Sequence, residues 1–223
     1  MNTFFGWRMV AIAIAIDFFA VGFAFQTYPV IQLHLEEELN LSRFVTTLSI
    51  PIFMMCSAIF FPIVGRLLDQ YSVKKIIVWG GFIYSISLMS LYLTFNYFTF
   101  ILIYGLPIAL GATLMGNLAT SKLVSSWFEK QAGRALGFAA VGVSFAGFIF
   151  PTLTQYFLMD ILLLEWREVY LVFGLFLLVI ITPLIFLLVI DKPEDIGQEV
   201  DGGVEIDGLE PEDNFGVEWQ IKD

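Results

Sequence analysis

Charge is what this sequence has least of. Asp, Glu, Lys and Arg make up 14% of the 223 residues while 58% are hydrophobic, far from the roughly one-quarter charged and 45–50% apolar composition of soluble domains. Polar surface is too scarce to clothe a water-soluble globule, so the chain is read as a membrane protein. Its one histidine, His34, excludes the multi-histidine membrane metalloenzymes, and its one cysteine, Cys56, lies in an apolar run and supports neither a disulfide nor a cysteine-based metal site. No G-x-S-G string and no pair of acids within an apolar run occurs, so the nucleophile–base or metal constellation of an intramembrane enzyme is missing and no cofactor site is readable.

The formal charge of −10 belongs to one end of the chain. Residues 1–190 hold nine basic and nine acidic residues, whereas residues 191–223 hold twelve acids against Lys192 and Lys222. A neutral, hydrophobic body with a base-poor tail excludes nucleic acid as a partner. The tail, acidic, glycine-rich and short of hydrophobes, is expected to be disordered.

Six apolar stretches, at about 8–33, 44–66, 75–95, 99–122, 132–158 and 168–190, reach the roughly 20 residues that a bilayer-crossing helix needs. The expected fold is therefore all-α: a polytopic bundle of six transmembrane helices over residues 1–190, embedded in lipid. With the N-terminus inside, Arg8, Arg66, Lys74, Lys75, Lys122, Lys130, Arg134, Lys192 and Lys222 are cytoplasmic and only Arg43 and Arg167 face out. That bias places both termini in the cytoplasm of a plasma-membrane protein.

The third and sixth stretches, dense in Leu, Ile, Phe and Tyr, read as lipid-facing helices. The fourth and fifth carry small residues at helical spacing: Gly105, Ala109, Ala112 and Gly116, then Gly133, Gly137, Ala140, Ser144, Gly147 and Pro151. Such stripes let helix backbones approach closely in lipid, so they read as packing faces. Asp17 is the single carboxylate in the interior of any stretch, Glu168 standing at the edge of the sixth; it lies ten residues past Trp7, which puts it about 15 Å into the membrane. Ala13, Ala20, Ala24 and Tyr28 share its helical face. An ionisable group at that depth is costly and is a candidate proton carrier in a cavity, with Tyr28 at the end of the same stripe. A structural acid bonded to Ser, Thr or Asn of a neighbouring helix is the equal alternative.

Two loop strings carry a resemblance. Gly65-Arg66-Leu67-Leu68-Asp69-Gln70-Tyr71-Ser72-Val73-Lys74-Lys75 is similar to the loop signature G-x-L-x-D-R-x-G-x-R/K-R/K of the major facilitator superfamily, matched at Gly65, Leu67, Asp69, Lys74 and Lys75. Gln70 stands for the usual Arg and Ser72 for the usual Gly. Ser126 to Gly142 resembles the W/Y-F-x-K-R-x-G-L-A-x-G-x-A-x-x-G string of the monocarboxylate-transporter and oxalate/formate-antiporter branch through Trp127, Phe128, Lys130, Gly133, Ala135, Gly137, Ala139 and Gly142, running on to Gly147. Phe5-Gly6-Trp7, Glu165-Trp166-Arg167 and Asp191 to Gly197 resemble the same branch at the start of helix one, the entry to helix six and the sequence after it.

The resemblance implies a twelve-helix secondary transporter of two six-helix halves rocking around a central cavity, of which this chain supplies the N-terminal half, with residues 191–223 as the cytoplasmic loop between halves. It implies a small solute, such as a monocarboxylate or another organic anion, as cargo, with H+ as a candidate coupling ion and no enzyme activity. Gly65, Asp69, Lys74 and Lys75 would form a conformational-switch loop, and helices one, two, four and five would line the cavity. The partner is the missing C-terminal half, or a second copy if the six-helix chain works as a homodimer.

Overall fold

In a computed structural model, which describes residues 4–203, the regular structure of the described residues is entirely helical. Six helical runs are long and apolar enough to cross a bilayer: Gly6–Leu39, Arg43–Gln70, Val73–Leu93, Tyr97–Trp127, Ala132–Ile161 and Trp166–Leu188, called spans one to six below. A helix bonds its own peptide groups, which a segment crossing hydrocarbon must do. The basic residues from Arg8, Arg66, Lys74, Lys75, Lys122, Lys130 and Arg134 share one end of the bundle, the basic end, with residues 191–203.

Two spans outrun their hydropathy. Span one continues past residue 33 to Leu39, so His34 and Glu36–Glu38 are helical. Hydropathy falls where side chains turn polar, but the backbone stops only at Asn40, whose left-handed conformation (φ 51°) ends the helix with its N–H on the Glu36 carbonyl. Span four likewise runs through Lys122 to Trp127.

The spans are not uniform cylinders. Wider π-type turns occur at Gly22–Gln26, Tyr104–Ile108, Leu153–Ile161 and Leu177–Ile181, each shifting the helical register. In span one the shift is held by partners on three sides. The Thr27 N–H reaches back to the Gly22 carbonyl at 3.2 Å and its hydroxyl donates to the same oxygen at 2.9 Å. From span three Tyr84 donates to the Ala20 carbonyl (2.9 Å), and from span four Tyr104 donates to that of Ala24 (3.2 Å).

Span three keeps an exposed bulky face, Trp79, Phe82 and Ile86, and adds a packed one. Half of its apolar stretch is buried, as in spans one and four, against 22% in spans two and five. The reason lies in two glycines among the bulky residues. A Cβ at Gly80 would stand 2.8 Å from the Met115 backbone nitrogen, and one at Gly111 of span four 2.7 Å from the backbone of Tyr84. Spans three and four therefore touch backbone to backbone, where packing drives association in lipid. Span six keeps an outward face of Val179, Phe186 and Leu187.

The small-residue stripe of span five also departs from its expected place. Gly133, Gly137, Ala140 and Ser144 are exposed in this bundle, and the packed face is Ala135, Ala139, Gly142, Ala146 and Phe150. Small residues occupy both faces of this span, so spacing alone does not select the inward one. Gly142 is the tight contact, since a Cβ there would meet the Ile14 carbonyl oxygen at 2.2 Å. In span four Gly105 does pack, against Ile52 and Cys56.

Of residues 191–203, Pro193–Ile196 forms a short 3₁₀ turn and Val200–Gly203 a turn with left-handed Asp201 and Gly202, both against the basic end. Residues 204–223, the rest of the acidic segment, lie outside the described residues.

The Gly142 contact is a direct test of this packing. Gly142→Ala should lower stability by about 1–3 kcal/mol through overpacking, whereas Gly137→Ala, in the helix Ala132–Ala139 with nothing within 4 Å of its Cβ, should raise it by up to about 1 kcal/mol; thermal unfolding of the two variants in detergent checks the contrast.

Candidate functional site

The middle of span four is broken at a glycine. Helix Ala109–Met115 stops at Gly116, which is extended (φ −83°, ψ −151°), and a new helix, Asn117–Trp127, starts there. The Gly116 N–H still bonds the Ala112 carbonyl at 2.8 Å, and a Cβ at this residue would press on that same oxygen at 2.6 Å. The absent side chain is what permits the turn. Beside the break lies a cavity of about 290 Å³ lined by Ala20, Val21 and Phe25 of span one, Phe53, Met54, Ser57 and Phe61 of span two, and Ala112, Thr113, Gly116, Asn117 and Leu118 of span four. Span five does not line it among the described residues.

Asp17 sits behind this wall. It is wholly buried, and the Thr120 hydroxyl donates to its two oxygens at 2.9 and 3.0 Å. The same hydroxyl lies 3.1 Å from the Asn117 backbone carbonyl, a second acceptor within its reach. Thr120 is the fourth residue of the restarted helix, so the carboxylate is held by its first turn. Among the described residues no cation forms an ion pair with it; the Thr120 hydroxyl offsets only part of the desolvation of the acid. Of the predicted stripe, Ala13, Ala20, Ala24 and Tyr28 are all buried, but only Ala20 reaches the cavity. Tyr28 is not beside Asp17: its hydroxyl donates to the Thr46 carbonyl at 2.6 Å and lies 2.8 Å from Ser49 Oγ, which in turn meets Tyr97. The structure therefore separates two residues that the sequence placed in one candidate site.

A model of the Major Facilitator Superfamily matches residues 2–211. The chain belongs to the Major Facilitator Superfamily. It is 30% identical over 154 residues to the MFS transporter asaE of Aspergillus flavus, covering 67% of this chain and 34% of that protein. It is also similar to the fujikurins efflux protein of Gibberella fujikuroi (36% over 90 residues; 40% and 19%) and to the uncharacterized MFS-type transporter YcxA of Bacillus subtilis (29% over 124 residues; 56% and 29%). The aligned stretch spans about a third or less of the length of each of these relatives. Membership makes this an integral, multi-pass membrane protein of a transporter family and not an enzyme.

The superfamily's loop residues do not form one cluster here. Asp69 pairs with Lys122 of span four at 2.8 Å, with both side chains about half exposed or more, a setting in which ion pairs contribute about 0–1 kcal/mol. Lys74 donates its backbone N–H to Asp191 at 2.7 Å and lays its ammonium 5.0 Å from the Phe186 ring centre. Lys75 bonds Ser72 Oγ through its N–H. Gly65 has nothing within 4 Å of a built Cβ. Ser72, where the superfamily signature has Gly, caps span three and donates to Asp191, so a residue from beyond span six completes the cap.

The longer string is split between core and surface. Trp127 and Phe128 are buried, and the Trp127 indole donates to the Ile190 carbonyl at 3.1 Å. Lys130 is exposed and contributes its backbone N–H, at 2.7 Å, to Asp201. Asp201 also accepts from Glu129 (3.1 Å) and Gln131 (3.4 Å), gathering the turn between spans four and five. Gly133 and Gly137 face open space, Gly142 meets Ile14, and Gly147 lies against the Gln26 side chain. At the opposite end Glu38 accepts from the Trp166 indole (2.6 Å) and from Arg167 (2.6 and 2.7 Å), joining spans one and six.

Thr120, Asn117, Asp191 and Asp201 are the site residues that sequence reasoning missed. Gly116 followed by an Asn, as a possible helix restart, was the available signal for the first two; the long-range caps by Asp191 and Asp201 have none. These caps can be weighed against the loop ion pair. Asp191→Ala should cost about 0.5–2 kcal/mol, as helix caps do, and Asp69→Ala at most about 1 kcal/mol; comparing the two variants' thermal unfolding in detergent checks the order.

Proposed function

We propose that this chain is the N-terminal half of a secondary transporter that moves a small organic solute by alternating access. Residues 1–190 act as one rocking body and residues 191–223 lead to a second six-helix body, either the C-terminal half or a second copy. The observation that carries this reading is the cavity at the broken middle of span four with a buried carboxylate directly behind it. A midplane cavity formed where helices are discontinuous is how many transporters build their substrate sites. Spans two and five, the least buried, offer Met55, Ile59, Phe145 and Phe148 as the surface for the second body.

The loop strings favour the monocarboxylate and oxalate/formate branch, and so an organic anion as cargo. No Lys or Arg lines the cavity, so the cationic partner of such an anion is supplied by the second body. Asp69 with Lys122, and the caps of Asp191 and Asp201, act in switching between states rather than in binding, because they lie at the basic end and not at the cavity.

Asp17 is proposed as the proton carrier. Its bond to Thr120 has two arrangements: an ionised Asp17 accepts the Thr120 proton, whereas a neutral Asp17 donates to Thr120, whose hydroxyl then turns to the Asn117 carbonyl 3.1 Å away. Both are satisfied, so the proton can come and go without leaving a buried group bare. Asp17→Asn, in the protein expressed from its own gene, should abolish pH-gradient-driven uptake while sparing solute exchange. Unaltered pH-driven uptake with normal membrane yield sinks the carrier role.

The cytoplasmic placement of both termini in the plasma membrane is part of the same proposal. In a Cys56→Ser background, Glu37→Cys and Asp160→Cys should react with an impermeant maleimide added to intact cells and Gln70→Cys should not; the reverse pattern inverts the assignment.

A further inference from the structure

We propose, building on the transporter reading above, that the wall between spans one, two and four is the binding site for the neutral, ring-sized part of an organic solute, with Asn117 reading an uncharged hydrogen-bonding edge. The wall is made of two kinds of surface. Phe25, Phe53 and Phe61 supply aromatic area, and Ser57, Thr113 and Asn117 are the polar groups. Few polar groups in an apolar, aromatic lining is the make-up of sites for organic ligands with a substantial apolar body.

The hydrogen-bonding state of the polar groups defines the edge they can take. Thr113 already donates its proton to the Ala109 carbonyl at 2.7 Å, so toward the cavity it can only accept. Ser57 makes no hydrogen bond among the described residues and retains its donor. Asn117 is exposed and carries both donor and acceptor. A hydroxyl, an amide or a protonated acid, able to give and take, matches this set. A bare carboxylate does not: no cationic side chain lines the wall, the acid Asp17 lies behind it, and an anion there would shed its water for nothing of opposite sign. A monocarboxylate cargo therefore turns its charge away from this wall and its apolar body toward it. Contact with lipid tails or a plain covering helix would instead leave the Ser57 and Asn117 groups without partners in an apolar setting.

Asn117 is also where the site meets the proton-carrier candidate. It lines the cavity, and its backbone carbonyl lies 3.1 Å from the Thr120 hydroxyl that holds Asp17, so an edge bound at Asn117 sits one residue contact from the carboxylate.

The test is site protection in membranes holding the protein expressed from its own gene, in a Cys56→Ser, Ser57→Cys background, following the rate of maleimide labelling. Three probes separate the chemistries: benzamide (ring with a neutral donor–acceptor edge), toluene (ring alone) and formate (compact anion). Benzamide is expected to slow labelling at lower concentration than toluene, and formate not at all. Adding Asn117→Leu should raise the half-protecting benzamide concentration about tenfold, the loss of roughly one hydrogen bond, leaving toluene unchanged; Asn117→Gln, which keeps the amide, should restore part of the difference. Protection by formate at or below the benzamide concentration, equal protection by benzamide and toluene, or protection by none of the three overturns the assignment. If pH-driven uptake persists in the same membranes while no probe protects, this inference fails and the transporter reading stands. If probes protect as expected but no uptake of any solute occurs, the binding site stands and the transporter reading fails.

Discussion

A peptide group that leaves the regular helical ladder inside hydrocarbon has no water to turn to, and this bundle is arranged around that constraint. Span one departs at Gly22–Gln26 and span four at Gly116. At the first departure, tyrosines from spans three and four donate to the carbonyls of Ala20 and Ala24. At the second, the Thr120 hydroxyl of the restarting helix donates to Asp17 of span one. Each irregularity thus lies beside hydrogen bonds to a neighbouring helix, and these bonds tie spans one, three and four together. The backbone contacts at Gly80 and Gly111 join spans three and four, and a tyrosine from each of the two reaches span one.

The two ends of the bundle are tied differently. At the basic end, residues 190–201 act as a strap: Ile190 accepts from Trp127, Asp191 completes the cap of span three and Asp201 collects three N–H groups after span four. Gln198 takes the Phe5 N–H at 2.9 Å, so the start of span one is held by the same segment. At the opposite end a single carboxylate, Glu38, receives both an indole and a guanidinium, bonds of the charge-assisted kind that are about twice as strong as neutral ones. A strap that touches the start of span one, the 2–3 turn and the 4–5 turn couples their positions, because moving one stretches bonds to the others.

What could be read from the sequence follows from how local the physics is. The six spans, the all-helical class and the superfamily were legible because apolar run length and short loop strings are local properties. The burial of span three was not, since its composition resembles that of a lipid-facing helix and only Gly80 and Gly81 mark it as packed. For span five the small residues were visible, but which of two small faces turns inward depends on where Ile14 comes to lie. Asp17 was legible by depth alone. Its partner Thr120 was not, being more than a hundred residues away, and neither was the separation from Tyr28, whose hydroxyl is claimed by the Thr46 carbonyl.

One device recurs through these findings: a carboxylate placed at the start of a helix. Asp191 does this for span three, Glu165 and Glu168 for span six, and Asp201 for the turn before Ala132–Ala139. In each the anion answers free N–H groups and the positive end of the helix dipole. Asp17 is related but not the same: it accepts from the Thr120 hydroxyl in the first turn of Asn117–Trp127, a side-chain group and not a backbone N–H, and its setting differs. The others lie at the ends of the bundle, where charge is in reach of water, whereas Asp17 is sealed among Ala13, Ile16 and Ala20. The same carboxylate that elsewhere is a stable cap is here costly as a charge. A carboxylate whose charge is costly, bonded to a helix that restarts at a glycine break beside a cavity, is the one among them whose bond can change with a proton while Thr120 stays hydrogen-bonded. That combination distinguishes the middle of span four from every other helix start described in the chain.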